Sequence, residues 1–384
     1  LPLNLVQQIT QFQENTPLQP QRLSLSLPGW TLAIESNSQT LLNTLKHYFG
    51  DPLSNLSDSN DLNDGCAQAD QTVTAYETDH FLNQGLHWED WKREAGKTGR
   101  KDAFLDFDNG LEAQRFIYKV KTGMLFWQRH DQPMAFGPTE SHPNQIINFI
   151  LTQYLNEHLR RGWLLGHAAG LQLNGHGLAI AGLSGGGKST LMLHLLEDGE
   201  HFISNDRLLF ADSAITESAR PGELWMRGIP KQPRINPGTI VHNPRLHALI
   251  PAERRAELLQ LPREELRQLE EKYDADVNRL YHPNCFKAES PLSALVILNW
   301  QPGSDDATRL TETTLNDSPH LLPAIIKSPG PFYADRQNVF LPNQIEPDTA
   351  PYLAMLGDLP CWELNGNVDF AAAVRLVEEA VRRQ

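Results

Sequence analysis

Residues 177–196 read GLAIAGLSGGGKSTLMLHLL, an apolar run followed by a glycine cluster, a lysine and a helix-like tail. Gly182, Leu183, Ser184, Gly185, Gly186, Gly187, Lys188 and Ser189 fit the spacing GxxxxGK[ST] without a mismatch. Each position in that spacing has a physical cause. Glycines let the backbone curl so that successive N–H groups point inward at phosphate oxygens. A helix starting near Ser189 aims the positive end of its dipole at the same place. Lys188 reaches the β and γ phosphates, and the Ser189 hydroxyl can ligate Mg²⁺. At average composition a chance match in a chain of this length has a probability of about 1%. The flanks agree with the motif: GLAIA reads as a strand, and TLMLHLLEDG as a helix stopped by Gly199. The loop residues Gly182, Ser184, Gly185, Gly186, Gly187, Lys188, Ser189 and Thr190 are therefore expected to hold the phosphates of a nucleotide, with Mg²⁺ at Ser189.

The motif alone does not separate motors, switches and kinases; its neighbours help. Downstream, HFISNDR reads as a short strand whose apolar Phe202 and Ile203 give way to Asn205 and Asp206. Ligands of open α/β sheets sit at the carboxyl ends of strands, so a strand parallel to and beside the loop would bring Asp206 to the γ-phosphate. Upstream, GWLLGHAAGLQLNGHGLAIAG reads as a strand pair turning at NGHG, with His167 on the first strand. His167 is either a satisfied core histidine or a charge-sensitive partner for the acid.

GHAAG, GLSGGGKST and FISNDR, in this order, resemble the catalytic domain of HPr kinase/phosphorylase, and most of all the HPr-kinase-related kinase B group, whose motif reads Asn–Asp where HPr kinase has Asp–Asp. The resemblance is good over roughly 160–240, looser from 290 onward and weak before 140. It implies a P-loop kinase transferring the γ-phosphoryl group of ATP to a serine-like hydroxyl, with Lys188 and Ser189 on the phosphates and metal. His167 then orients the acid or senses the γ-phosphate. The departure is Asn205, whose amide cannot take the proton of an attacking hydroxyl. Asp206 is the only carboxylate left in the motif: either it acts as base, metal partner or both, or the chain binds nucleotide as a switch without transfer. A loose phosphoryl-transfer transition state needs positioning and charge neutralisation more than a strong base. MRGIPKQPRINPGT (226–239) matches the glycine-rich signature of HPr kinase only in part. Lys231 and Arg234 there are either phosphate or acceptor clamps or solvated loop charges.

The rest of the 384-residue chain bounds the answer. The expected fold class is α/β: a small α+β domain over 1–140, then a P-loop, HPr-kinase-like catalytic domain over 141–384. Within the first, 1–28 reads as an arm or capping helix, WTLAIES as a strand, TLLNTLKHYFG as a helix and 51–70 as a flexible polar loop. WEDWKREAGKTGRK, with Lys97 in its GKT, reads as a solvated loop of balanced charge. Pro143 opens a helix that Gly162 stops. Residues 244–280, charge-rich with Pro251 and Pro262, read as a helical insertion, either a hinged flap that meets the acceptor or passive decoration. The net charge of −14 argues against a nucleic-acid partner. No run is long and apolar enough for a membrane span, and the N-terminal stretch lacks secretory-signal features. Cys66, Cys285 and Cys361 form no CxxC pair, as expected of reduced thiols in a cytoplasmic protein. No histidine spacing predicts a structural metal site. The expected partner is a protein or small-molecule phospho-acceptor, with homo-oligomers common in the resembled family.

Overall fold

The computed structural model describes residues 2–50, 55–59, 69–79, 86–93, 99–108, 113–183, 186–262, 265, 266, 269 and 271–384. It is a mixed α/β protein with several mixed sheets. Two compact units divide the chain: Leu1–Arg160 with Pro329–Glu346, and Arg161–Ser328 with Pro347–Gln384.

The first unit comprises α1 (Pro2–Asn15), β1 (Arg22–Leu27), β2 (Trp30–Ser36), α2 (Gln39–Phe49), β3 (Asn55–Ser59), β4 (Gln71–Glu77), β5 (Glu89–Asp90), β6 (Asp102–Asp108), β7 (Ala113–Lys119), β8 (Leu125–Gln128), β9 (Met134–Gly137) and α3 (Pro143–Arg160). Its nine strands form one sheet in the order β3-β1-β2-β4-β9-β8-β7-β6-β5. Alternation explains β1, where Leu23, Leu25 and Leu27 are buried on one face. Of the arm or capping helix expected over 1–28, the structure has the helix, α1, followed by the strand β1. Within the expected loop 51–70, Asn55–Ser59 pairs with β1, and the rest apart from Ala69–Asp70 lies outside the described residues, as do Cys66 and the GKT at 96–98.

The sequence reading ends this unit at 140, whereas the structure keeps α3 and returns residues 329–346 to it. The reason is packing. Phe149 of α3 meets Phe126 at 4.7 Å and Phe332 at 5.5 Å between ring centroids. Arg115, 1% exposed, pairs with Asp106 and donates to the carbonyls of Pro331 and Leu341 at 3.0 and 3.1 Å. A buried guanidinium needs this many acceptors, and they pin the returning segment.

The second unit comprises β10 (Leu164–Gly166), β11 (Ala169–Leu173), β12 (His176–Gly182), α4 (Lys188–Leu195), β13 (His201–Ser204), β14 (Leu208–Asp212), β15 (Leu224–Arg227), β16 (Arg234–Ile235), α5 (Pro237–Val241), α6 (Ala252–Leu259), β17 (Tyr273–Asp274), α7 (Val277–Leu280), β18 (Glu289–Leu292), β19 (Ala294–Trp300), β20 (Arg309–Thr313), α8 (Ala350–Leu356), β21 (Cys361–Gly366) and α9 (Phe370–Arg382). A six-stranded sheet runs β13-β11-β12-β19-β21-β20, and a four-stranded one β10-β14-β15-β18. β12, β19 and β21 are parallel neighbours. Both faces of these strands are covered, so they read as continuous apolar runs. Leu178, Ile180, Val296 and Leu298 share one core with Leu191 and Leu195 of α4 and Val377 of α9. Ala179, Ala181, Leu295 and Ile297 face another, with Phe210, Leu322 and Tyr352. A type I′ turn at Asn174 and Gly175, with φ of 50° and 78°, joins β11 to β12.

Three expectations for this unit change. His167 does not lie on a strand: β10 leaves for the four-stranded sheet, and His167 sits in the bend between β10 and β11. β13 does run in the direction of β12, but β11 lies between them, antiparallel to both. Residues 244–280 include a 3-10 turn, α6, β17 and α7, and contribute Leu246, Ile250, Leu258, Leu266, Ala275 and Val277 to the α4 core. Dense surface charge hid that apolar spacing, and the segment is integral to the core instead of a detachable flap.

Candidate functional site

Because β12 and β13 point the same way, their carboxyl ends emerge at one edge of the sheet. β12 delivers the loop from Gly182 to α4. Ser184 and Gly185 lie outside the described residues. Gly186 and Gly187 have φ of 154° and 109°, and only glycine adopts these without strain. Gly187 is the N-cap of α4 and offers no side-chain acceptor, so no cap hydrogen bond covers the helix start. Ser189 is in the first turn of α4. Thr190 turns elsewhere: its Oγ1 lies 2.9 Å from Oγ1 of Thr239 on α5.

β13 ends at Ser204, whose Oγ donates to the Arg207 carbonyl and closes a tight bend around Asn205 and Asp206. Gly228 makes room for the next segment, since a Cβ there would meet the Ile203 carbonyl oxygen at 1.9 Å. The His167 N–H donates to the Ile325 carbonyl at 2.7 Å, which fixes the bend between β10 and β11.

These anchors bring three of the expected residues together. His167 Nε2 lies 2.9 Å from Asp206 Oδ1 and 3.2 Å from Lys188 Nζ. His167 and Asp206 are 36% and 52% exposed, so they are open to solvent and to a ligand. Crowding by surrounding protein disfavours the charged carboxylate of Asp206. It is outweighed by the hydrogen bond from His167 and by the charges of Lys327, His167 and Lys188, which hold the carboxyl well below its usual range. Burial, with Arg207 and Arg234 nearby, pushes the Lys231 ammonium down against the pull of Asp274 and Asp206. Asp206 thus stands among several cations, a field suited to a polyanion. Asn205 Oδ1 is buried with no hydrogen-bond partner among the described residues.

The oxygen donors at this edge are the Ser189 hydroxyl, the Asp206 carboxylate and the orphaned Asn205 amide oxygen. Hard oxygens of this kind suit Mg²⁺, which takes one or two protein ligands and keeps water and phosphate oxygens for the rest. The residues therefore fit the expected ion, whose chemistry would be to neutralise phosphate charge. Sequence reasoning missed Lys327 and Arg207. Lys327 lies in AIIKSPG, which has no motif and stands 121 positions beyond Asp206. Arg207 directly follows the acid, and only the bend at 204–207 gives it a place in the site.

No protein-family model matches the chain, and no curated protein matches it. Among solved structures it is similar to the HPr(Ser) kinase/phosphatase from Coxiella burnetii, with 12% identity and a TM-score of 0.28. That match covers 57% of this chain and 91% of the other. It is a distant, fold-level similarity. No helix among the described residues is long and apolar enough to cross a membrane.

Proposed function

We propose that the protein is a kinase that moves the γ-phosphoryl group of ATP to a serine-like hydroxyl of a protein or small-molecule acceptor. The observation that carries the reading is the convergence of Lys188, His167 and Asp206 at one sheet edge, with Lys188 Nζ and Asp206 Oδ1 at 3.2 and 2.9 Å from His167 Nε2. The glycine-rich spacing at 182–189 and the motif resemblance of 160–240 support it. In this reading the backbone of the glycine loop and Lys188 hold the triphosphate. The acceptor oxygen forms a bond to the γ-phosphorus while the bond to the β,γ-bridging oxygen breaks and ADP leaves. Asp206 takes the hydroxyl proton, and His167 orients the carboxylate. Ser189 and Asp206 would hold Mg²⁺, which would supply neutralisation of the phosphate charge.

A second reading, a switch that binds nucleotide without transferring phosphate, is favoured by the amide at Asn205. Incubation of the protein with γ-labelled ATP and a lysate separates the two. Label in an acid-stable ester of one acceptor supports the kinase. ATP binding with neither labelled acceptor nor ATP consumption supports the switch.

A further inference from the structure

The two ends of a nucleotide on this loop face different surroundings. Asp206 and His167 lie on the β13 side of β12, where they mark the reacting end of the triphosphate. The other side of β12 is occupied by β19 and β21, parallel to it, so Trp300 and Gly366 end at the same edge as Gly182. α9 begins there with Phe370. The Phe370 ring stands against the phosphate-loop backbone: a Cβ on Gly187 would meet its Cζ and Cε1 at 3.2 and 3.3 Å. Its orientation is fixed by an edge-to-face contact with Trp300 at 5.3 Å and a tilted one with His194 at 6.1 Å. Phe370 is only half-buried. Leu183, the first residue past β12, is 38% exposed and one of four large apolar side chains so exposed among the described residues. Its N–H donates to the carbonyl of Leu298, which itself neighbours Gly187.

An aromatic ring and an exposed leucine beside a phosphate loop offer no charge and no hydrogen bonds, so they do not serve the phosphates. They suit a flat, apolar-faced group joined to those phosphates. We propose that the nucleobase of the bound nucleotide packs on Phe370, beside Leu183, on the side of β12 opposite Asp206. This rests on the reading of residues 182–189 as the phosphate-holding loop. Base–aromatic stacking depends on a π face that leucine and alanine lack.

The test is calorimetric titration of Mg²⁺-ATP and of Mg²⁺-tripolyphosphate, which has the phosphates but no base. The proteins are wild type, Phe370→Tyr, Phe370→Leu and Phe370→Ala, each checked for folding by thermal denaturation. The expected result is ATP affinity about tenfold lower in the Leu and Ala variants, with tripolyphosphate affinity within about twofold of wild type and Phe370→Tyr near wild type for both. Leucine keeps the packing volume, so that variant carries the test if the alanine one does not fold. Unchanged ATP affinity in folded Phe370→Leu, or equal losses for ATP and tripolyphosphate, overturns the inference while leaving the phosphate loop standing. A wild-type protein that binds neither ligand overturns the loop reading, and this inference with it.

Discussion

His167 Nε2 is 2.9 Å from Asp206 Oδ1, and the same nitrogen lies 3.2 Å from Lys188 Nζ. One ring nitrogen cannot donate to the carboxylate and accept from the ammonium at once. The tautomer that serves Asp206 therefore excludes a hydrogen bond from Lys188 to that atom. In the proposed reading, phosphate oxygens would give Lys188 a stronger partner than the imidazole nitrogen, and nucleotide binding would favour the state in which His167 serves the acid.

That competition makes His167 a positioning residue. His167→Ala is expected to lower kcat by about 10²-fold, the lower end of general acid–base effects, and to change KM for ATP by only a few-fold. His167→Gln keeps a donor and should recover part of the loss if the hydrogen bond matters, and little if the charge matters. Steady-state kinetics per folded molecule check this; a variant with lower Tm and normal turnover would make His167 a packing residue.

Asp206 carries a signed pH prediction. Its folded carboxyl is held below the ordinary value, so it adds stability that is present above about pH 3.9 and is lost as pH falls through the lower folded value. Asp206→Asn is expected to lower Tm at pH 7, and the gap to wild type should narrow as pH falls below 4. A gap that widens on acidification contradicts the sign. Scanning calorimetry in low salt reads it.

The thiols give a prediction independent of the site. Burial pushes Cys285 up to about 11 and Cys361 up to about 12, and both are fully buried. Neither should be alkylated by iodoacetamide at pH 8 in the native protein, and both should react in guanidinium. Peptide mass mapping scores each cysteine separately.

The segment 244–280 now predicts stability more than acceptor choice. Leu258 of α6 is completely buried in the core that holds Leu191 and Leu195. Leu258→Ala should cost about 2–5 kcal/mol in denaturant unfolding. A cost below about 0.5 kcal/mol, as at a surface position, would restore the flap.

How legible the site was depended on distance along the chain. The glycine loop, its strand and its helix are one local unit, so spacing and periodicity suffice to place Lys188 and Ser189. Asp206 was legible because Phe202 and Ile203 mark a strand end. The strand order was not: β11 between β12 and β13 follows from pairing energies that a linear reading does not contain. His167 reads as a strand residue because the short β10 and β11 look continuous in sequence, while they belong to different sheets. Lys327 comes near Asp206 only through the tertiary fold, and the return of residues 329–346 to the first unit is set by contacts such as those of Arg115, so neither carries a local signal.

The central claim, that Asp206 acts in phosphoryl transfer while the loop does the holding, is tested most directly by Asp206→Asn. ATP affinity by calorimetry and transfer of labelled γ-phosphate to the acceptor are measured on the same folded preparation. Affinity within a few-fold of wild type with transfer reduced about 10²–10⁴-fold is the predicted result, and Asn205→Asp should retain detectable transfer. Transfer at wild-type level in Asp206→Asn would contradict the account.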